Sequence, residues 1–357
     1  MHELCTLFDV TYLARGLALY RSLERVSAPF RLHVFCMDAP AKALLDRMQL
    51  PHMVTIGIDE LERFDPQLLA IKAARTVAEY CWTATPAVCL FVLDRHPDIE
   101  RITYLDADLL FSGDPSVLFE ECPAASVLIV PARYPPGREE WQAQFGTYAV
   151  QFNAFRNDAR GLLALRWWRD RCLEGCSSLS AEYWFGDQKY LDDWTERFEG
   201  VHAVRHVGAG VGPWNAPQYR FTRAGNRVLV DGEPLIFYHH QSLEMCVLTR
   251  TARWIGVPRG SHSMTRGPLP LAWGFGDATQ YVAAADERTL VWEPYLLHIA
   301  SAIGEIRAFD PAFAGGLATM RHMRVRAARL ALPAPVRSTL ARVRQRLLRA
   351  GPVAARR

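Results

Sequence analysis

The sequence predicts an α/β fold, a mostly parallel sheet with helices on both faces. Three observations predict it. Through residue 131, short apolar strands alternate with helical stretches, the order that a parallel sheet requires. Asp9, Asp38, Asp106 and Asp108 fall at the ends of predicted strands, the edge where such sheets bind ligands. Half of the 357 residues are hydrophobic and 22% are charged, ample apolar mass for a buried sheet.

Each element has its own signal. Residues 4–10 read as a strand that runs into Asp9-Val10-Thr11-Tyr12, and 13–23 carry apolar residues at helical spacing. Residues 30–37 form a second strand ending in Asp38 and Pro40, and 42–48 a helix. Residues 54–58 form a third strand, after which Asp59-Glu60-Leu61-Glu62 opens a polar connection. A helix over 71–81 is punctuated by Thr85-Pro86 and resumes over 87–93. The continuous apolar run 102–111, interrupted only by Asp106 and Asp108, reads as one buried strand, followed by another over 126–131.

Further on, 134–146 is a Pro/Gly-rich loop suited to cover a site. Residues 148–155 are a strand. Residues 160–173 are a helix whose Leu162, Leu163, Leu165, Trp167 and Trp168 suit a core. Gly186-Asp187-Gln188 precedes a helix over 189–194, and 202–206 are a strand. The glycines of 208–215 suit unusual backbone angles. Asp231-Gly232 between 227–230 and 235–238 is a hairpin signal, and His239-His240 ends the second arm. Residues 256–276 look loop-like and 290–306 helical.

Composition narrows the function. A net charge of +3 gives no global case for nucleic acid. The first eight residues lack a basic region followed by a long apolar core, so no signal peptide is expected, and no apolar run approaches a bilayer span. The eight cysteines form no Cys-x-x-Cys pair, which fits buried thiols in the cytoplasm better than a zinc site or disulfide framework. From residue 321 onward eleven arginines occur without an acidic residue. Val336, Leu340, Val343, Leu347 and Leu348 share one side at helical spacing, so the tail suits the inner face of an anionic membrane or a docked helix with a solvated basic face.

The chemistry centres on Asp106 and Asp108. Residues two apart on a regular strand point the same way. Two converging carboxylates repel and desolvate badly unless a cation lies between them, and hard divalent cations take carboxylate oxygens. The plainer reading is a capping and turn pair at a strand end.

Tyr104-Leu105-Asp106-Ala107-Asp108, Phe152-Asn153-Ala154, Gly186-Asp187-Gln188 and Phe237-Tyr238-His239, after a first strand carrying Thr6 and Asp9, together resemble the retaining glycosyltransferases of family eight. The resemblance covers roughly residues 3–245 and implies the GT-A fold with a C-terminal helical extension. It implies that Asp106, Asp108 and His239 hold Mn²⁺ or Mg²⁺ against the diphosphate of a nucleotide-sugar donor, with Asp106 also touching ribose. Imidazole suits Mn²⁺ slightly better. It assigns Thr6, Asp9 and Tyr12 to base and ribose, and Lys72 and Arg75, one helical turn apart, to donor phosphate or sugar. Asp187 would hold donor hydroxyls and Gln188 would set its amide oxygen near the anomeric carbon. Phe155 stands where the family has glycine, another register puts Ala149 at the asparagine, and the 208–215 loop lacks the expected lysine.

The resulting expectation is a metal-dependent transferase moving a sugar from a UDP-sugar to a saccharide or lipid-linked acceptor. A glycosyltransferase domain over 1–250 precedes a loop and helical extension over 251–319 and a basic tail over 320–357. Nucleic acid is not an expected partner. Two alternatives use the same residues: a haloacid-dehalogenase-like phosphatase, with Asp106 as nucleophile, and an inert GT-A binding module.

Overall fold

The computed structural model describes residues 1–177, 186–248, 257, 261–276 and 281–330. The chain divides into two compact units, Met1–Gln241 with Val282–Gly316, and Ser242–Tyr281 with Leu317–Arg357.

The first unit is α/β. Its strands are β1 (His2–Phe8), β2 (Phe30–Cys36), β3 (Met53–Gly57), β4 (Arg101–Leu105), β5 (Leu109–Phe111), β6 (Val127–Pro131), β7 (Tyr148–Arg156) and β8 (Val201–Ala203). Seven of them make one sheet in the order β3-β2-β1-β4-β7-β6-β8. The β3-β2-β1-β4 half is parallel, and β7 runs antiparallel to both β4 and β6. The predicted mostly parallel α/β sheet is therefore present.

Helices α1 (Leu13–Val26), α2 (Ala39–Met48), α3 (Ile58–Phe64), α4 (Pro66–Ile71) and α5 (Val77–Arg95) fill the crossovers. Asp38 caps α2, its side chain accepting from the Ala41 amide at 2.9 Å with Pro40 in the first turn. The expected polar connection after β3 is instead helical. Glu60 reaches back to the Gly57 amide at 3.1 Å, and Asp65 with Pro66 starts a second short helix. The helix expected over 71–81 breaks at residues 72–75, and α5 begins where Thr76 and Glu79 form a capping box. It then runs through Pro86, because packing of this largely buried helix offsets the lost ladder bond.

One face of the sheet, through Cys5, Ile102, Tyr104 and Phe155, packs on α5 and on α6 (Ala159–Glu174). Leu165 and Trp168 of α6 are buried as expected, whereas Leu163 is 61% exposed. Helix α1 instead meets the helix Glu293–Arg307 through Arg21–Glu305 at 2.6 Å, and its Ser22 hydroxyl accepts from Phe111 of β5 at 3.1 Å. The loop expected over 134–146 contains a helix, Glu139–Phe145, between Gly137 and Gly146 at positive φ. The helix expected over 189–194 is reduced to single turns at Lys189–Leu191 and Trp194–Arg197.

In the second unit, Leu243–Val247, Leu271–Phe275 and His262–Met264 form an antiparallel sheet, the last two strands lying inside the stretch 256–276 expected to be loop. Met323, on the helix Met320–Leu330, is buried against Cys246, Leu248 and Ala272. The apolar stripe of the predicted tail, from Val336 on, lies outside the described residues.

Candidate functional site

Two departures from regular strand geometry build the site. The run 102–111 is not one strand. After β4, Leu109 donates its amide to the Asp106 carbonyl at 3.2 Å, so residues 106–109 make a tight turn. Beyond the turn β5 leaves the main sheet and pairs antiparallel with Phe237–His239, His239 opposite Leu109. The expected hairpin is also re-partitioned. Arg227–Val230 pairs with Phe221–Ala224 and with Glu233–Pro234 around Asp231-Gly232, both at positive φ, while Phe237–His239 crosses to β5. The turn gathers the two carboxylates, and the crossing strand delivers the imidazole.

Asp106, Asp108 and His239 each offer one ligand atom, and these atoms lie within 4.8 Å of one another. His239 Nε2 is 3.0 Å from Asp108 Oδ1 and 3.6 Å from Asp106 Oδ2. Ligand bonds of about 2.0–2.2 Å to one cation fit such separations. Asp108 and His239 are buried. Burial pushes the Asp106 carboxyl up to about 7, helped by the charge of Asp108. Burial also opposes charge on Asp108, but His239 outweighs it and holds this carboxyl below its usual range. His239 is raised because Asp108 and Asp106 outweigh its burial. Two carboxylates thus crowd around one imidazole, and a set of hard oxygen donors with one nitrogen fits Mn²⁺ or Mg²⁺.

Neighbouring groups complete the corner. Tyr104 donates its hydroxyl to Asp106 at 2.9 Å. Asp187 is buried, its Oδ2 has no hydrogen-bond partner, and burial with the nearby Asp106 charge pushes it up to about 8. Its carbonyl accepts from the Trp168 indole at 2.9 Å, which ties the α6 core to the site. Asn153, paired with Tyr104 across β4 and β7, is buried with neither amide atom hydrogen-bonded. Unpartnered buried polar atoms are costly, so each of these calls for a partner. Arg15 on α1 is buried, lies under the Tyr12 ring at 4.6 Å and draws Asp108 downward, a cation that the sequence did not single out.

The remaining sequence candidates are placed as follows. Thr6 is buried with its hydroxyl unpartnered. Asp9 closes the β1–α1 turn, accepting from the Thr11 amide at 2.9 Å and hydroxyl at 2.6 Å. Tyr12 is 41% exposed, yet local burial and the charge of Asp108 push its phenol up to about 12. Gln188 spends its amide on backbone, Nε2 donating to Phe145 at 2.8 Å and Oε1 accepting from Val150 at 3.3 Å. Lys72 pairs with Glu62 at 2.6 Å, and Arg75 donates to the Leu173 carbonyl at 3.2 Å. The structure brings Asp106, Asp108 and His239 together and sets Asp187 and Tyr12 within electrostatic reach of them. It commits the cationic groups of Lys72 and Arg75 elsewhere.

Comparison with known proteins gives close relatives. The chain is 34% identical to the uncharacterized protein YfnF of Bacillus subtilis (strain 168) over 273 residues, 74% of this chain and 87% of that one. It is 31% identical to the uncharacterized protein YfnD of the same strain over 315 residues, 87% and 93% of the two chains. The chain belongs to the family of YfnF and YfnD. This YfnF/YfnD relationship spans most of the length of each protein. No family model matches the chain. Among solved structures, the chain is similar to apo mouse xyloside xylosyltransferase 1, at 14% identity over 67% of this chain and 97% of that one, with a TM-score of 0.42. It is also similar to the galactosyltransferase LgtC in complex with donor and acceptor sugar analogues, at 13% identity over 67% and 87% of the chains, with a TM-score of 0.46.

Proposed function

We propose that the chain is a metal-dependent glycosyltransferase of the family-eight, GT-A type, which moves a sugar from a UDP-sugar to a saccharide or lipid-linked acceptor with retention of configuration. One observation carries this reading: residues 106, 108 and 239 converge on a single point, with the buried Asp187 carboxylate within electrostatic reach of Asp106.

Asp106, Asp108 and His239 hold the cation, Mn²⁺ or Mg²⁺. When bound it supplies positive charge against the charge that accumulates on the departing diphosphate. Arg15 adds a second, permanent positive charge beside Asp108. Thr6, Asp9 and Tyr12, at the end of β1, form the nucleotide side, with the exposed Tyr12 ring available to stack on the base. Asp187 and Asn153 receive donor hydroxyls. Gln188, held by the backbone of Phe145 and Val150, fixes the wall near the anomeric carbon. A carboxamide is a poor nucleophile, so the acceptor attacks from the leaving-group face and its proton passes to the departing phosphate. The basic helix Met320–Leu330, with Arg321 and Arg324 exposed, begins a surface suited to an anionic membrane. Flotation with anionic liposomes, lost on truncation after Thr319, tests that placement.

A panel of UDP-sugars incubated with Mn²⁺ tests the main reading. It expects slow hydrolysis of one donor, stopped by EDTA. Release of phosphate from aryl phosphates with every UDP-sugar untouched contradicts it.

A further inference from the structure

Gln151 takes no part in the roles above, although its amide is one of the best-placed groups in the corner. It lies on β7 and is fully buried. Its main-chain carbonyl accepts from the Asp106 amide at 3.0 Å, so the residue borders the carboxylate turn. Its side-chain Oε1 lies 3.2 Å from Nδ1 of His239. The opposite ring nitrogen, Nε2, is the one that faces Asp108 and Asp106.

Neutral imidazole carries one hydrogen, and the nitrogen without it is the one that can ligate. A carbonyl oxygen facing Nδ1 demands the hydrogen there and leaves a bare lone pair on Nε2. The reversed amide would donate to Nδ1, drive the hydrogen to Nε2 and block ligation. We infer that Gln151 is a positioning residue for the metal centre: its amide oxygen selects the Nδ1–H form of His239 and keeps Nε2 open to the cation. The inference rests on the metal reading above and adds the residue that makes His239 competent.

The surroundings hold the ring in place and crowd the amide, whose Nε2 is buried without a hydrogen-bond partner. Gly210 has φ +79°, and a Cβ there would stand 3.2 Å from Gln151 Nε2 and 2.4 Å from Val130. Only glycine leaves the pocket room for the amide. The Trp214 ring meets the His239 ring edge-on at 5.4 Å, and its indole is anchored to the Ala132 carbonyl at 2.7 Å. Trp214 itself lies over Gly212, where a Cβ would approach its ring to 2.3 Å. The imidazole is thus fixed by an amide acting on its hydrogen and by an aromatic wall. Partners of this kind orient ligating histidines in metal sites generally.

The test compares the full chain with Gln151→Met, which keeps the bulk without the acceptor, and Gln151→Glu, which keeps the acceptor. Mn²⁺ affinity is read by the loss of free-ion paramagnetic resonance signal. Gln151→Met should bind about 10–100-fold more weakly, and Gln151→Glu should bind as tightly as the parent or tighter. In ¹⁵N-histidine-labelled parent, His239 should show a protonated Nδ1, a reading that stands even if the methionine variant does not fold. Gln151→Met affinity within twofold of the parent, Gln151→Glu as weak as Gln151→Met, or an unprotonated Nδ1 in the parent overturns the inference. A parent that binds no Mn²⁺ at all overturns the metal reading with it.

Discussion

His239 and His240 are adjacent in sequence and meet opposite surroundings. His239 closes its strand with one ring nitrogen on Gln151 and the other facing two carboxylates. His240 turns into the core, stacked on Tyr295 at 3.6 Å and edge-on to Trp292 at 4.9 Å. Burial there pushes its imidazole down to about 3, because the charge of Asp108 opposes desolvation too weakly. The same side chain, one residue along, becomes a ligand candidate on one face and an aromatic packing unit on the other. What decides is the strand's alternation together with what the turn at 106–109 presents to one face.

Substitutions can break or sharpen that contrast. The largest effect is expected for Asp108→Ala. It removes the carboxylate nearest His239, and titration calorimetry with UDP and Mn²⁺ should show metal-dependent binding abolished. His239→Ala follows, with Mn²⁺ binding weakened more than about 100-fold, since loss of a ligand exceeds loss of the partner that orients it; the same titration reads it. Gln188→Ala sharpens a different boundary, between holding the nucleotide and turning it over. Donor turnover in a coupled assay should fall about 10–100-fold, with UDP affinity held within twofold. The smallest effect belongs to His240→Phe. A neutral stacked ring replaces another, so Mn²⁺ affinity should stay within twofold. The cost in urea unfolding should be below about 1.5 kcal/mol.

The contrast also marks what the sequence could convey. Period-two patterning and the Asp-x-Asp, Asp-Gln and aromatic-His motifs were enough to predict the parallel sheet and to select Asp106, Asp108 and His239. The mode of convergence was not legible, because apolar continuity over 102–111 hides a turn closed by one backbone hydrogen bond. Likewise Asp231-Gly232 announced a hairpin, but not that Phe237–His239 would pair with Leu109–Phe111 instead. Such long-range pairing depends on packing and leaves no local signature. Lys72 and Arg75 stand out as phosphate groups by spacing alone, and spacing does not show that Lys72 meets Glu62 ten residues back or that Arg75 meets the Leu173 carbonyl 98 residues on. Gln151 did leave a trace: two amides, at 151 and 153, interrupt one side of a buried apolar strand. Read as a cost of burial, that pattern asks for partners, and His239 is one of them.

The central claim is that one divalent cation binds where the carboxylate turn meets the crossing strand. Anomalous diffraction from crystals soaked in Mn²⁺ and UDP tests it most directly. The account predicts a single strong peak in contact with Asp106, Asp108 and His239 Nε2, and none beside His240. A peak elsewhere with this corner empty, at an ion concentration that supports donor binding, would contradict it.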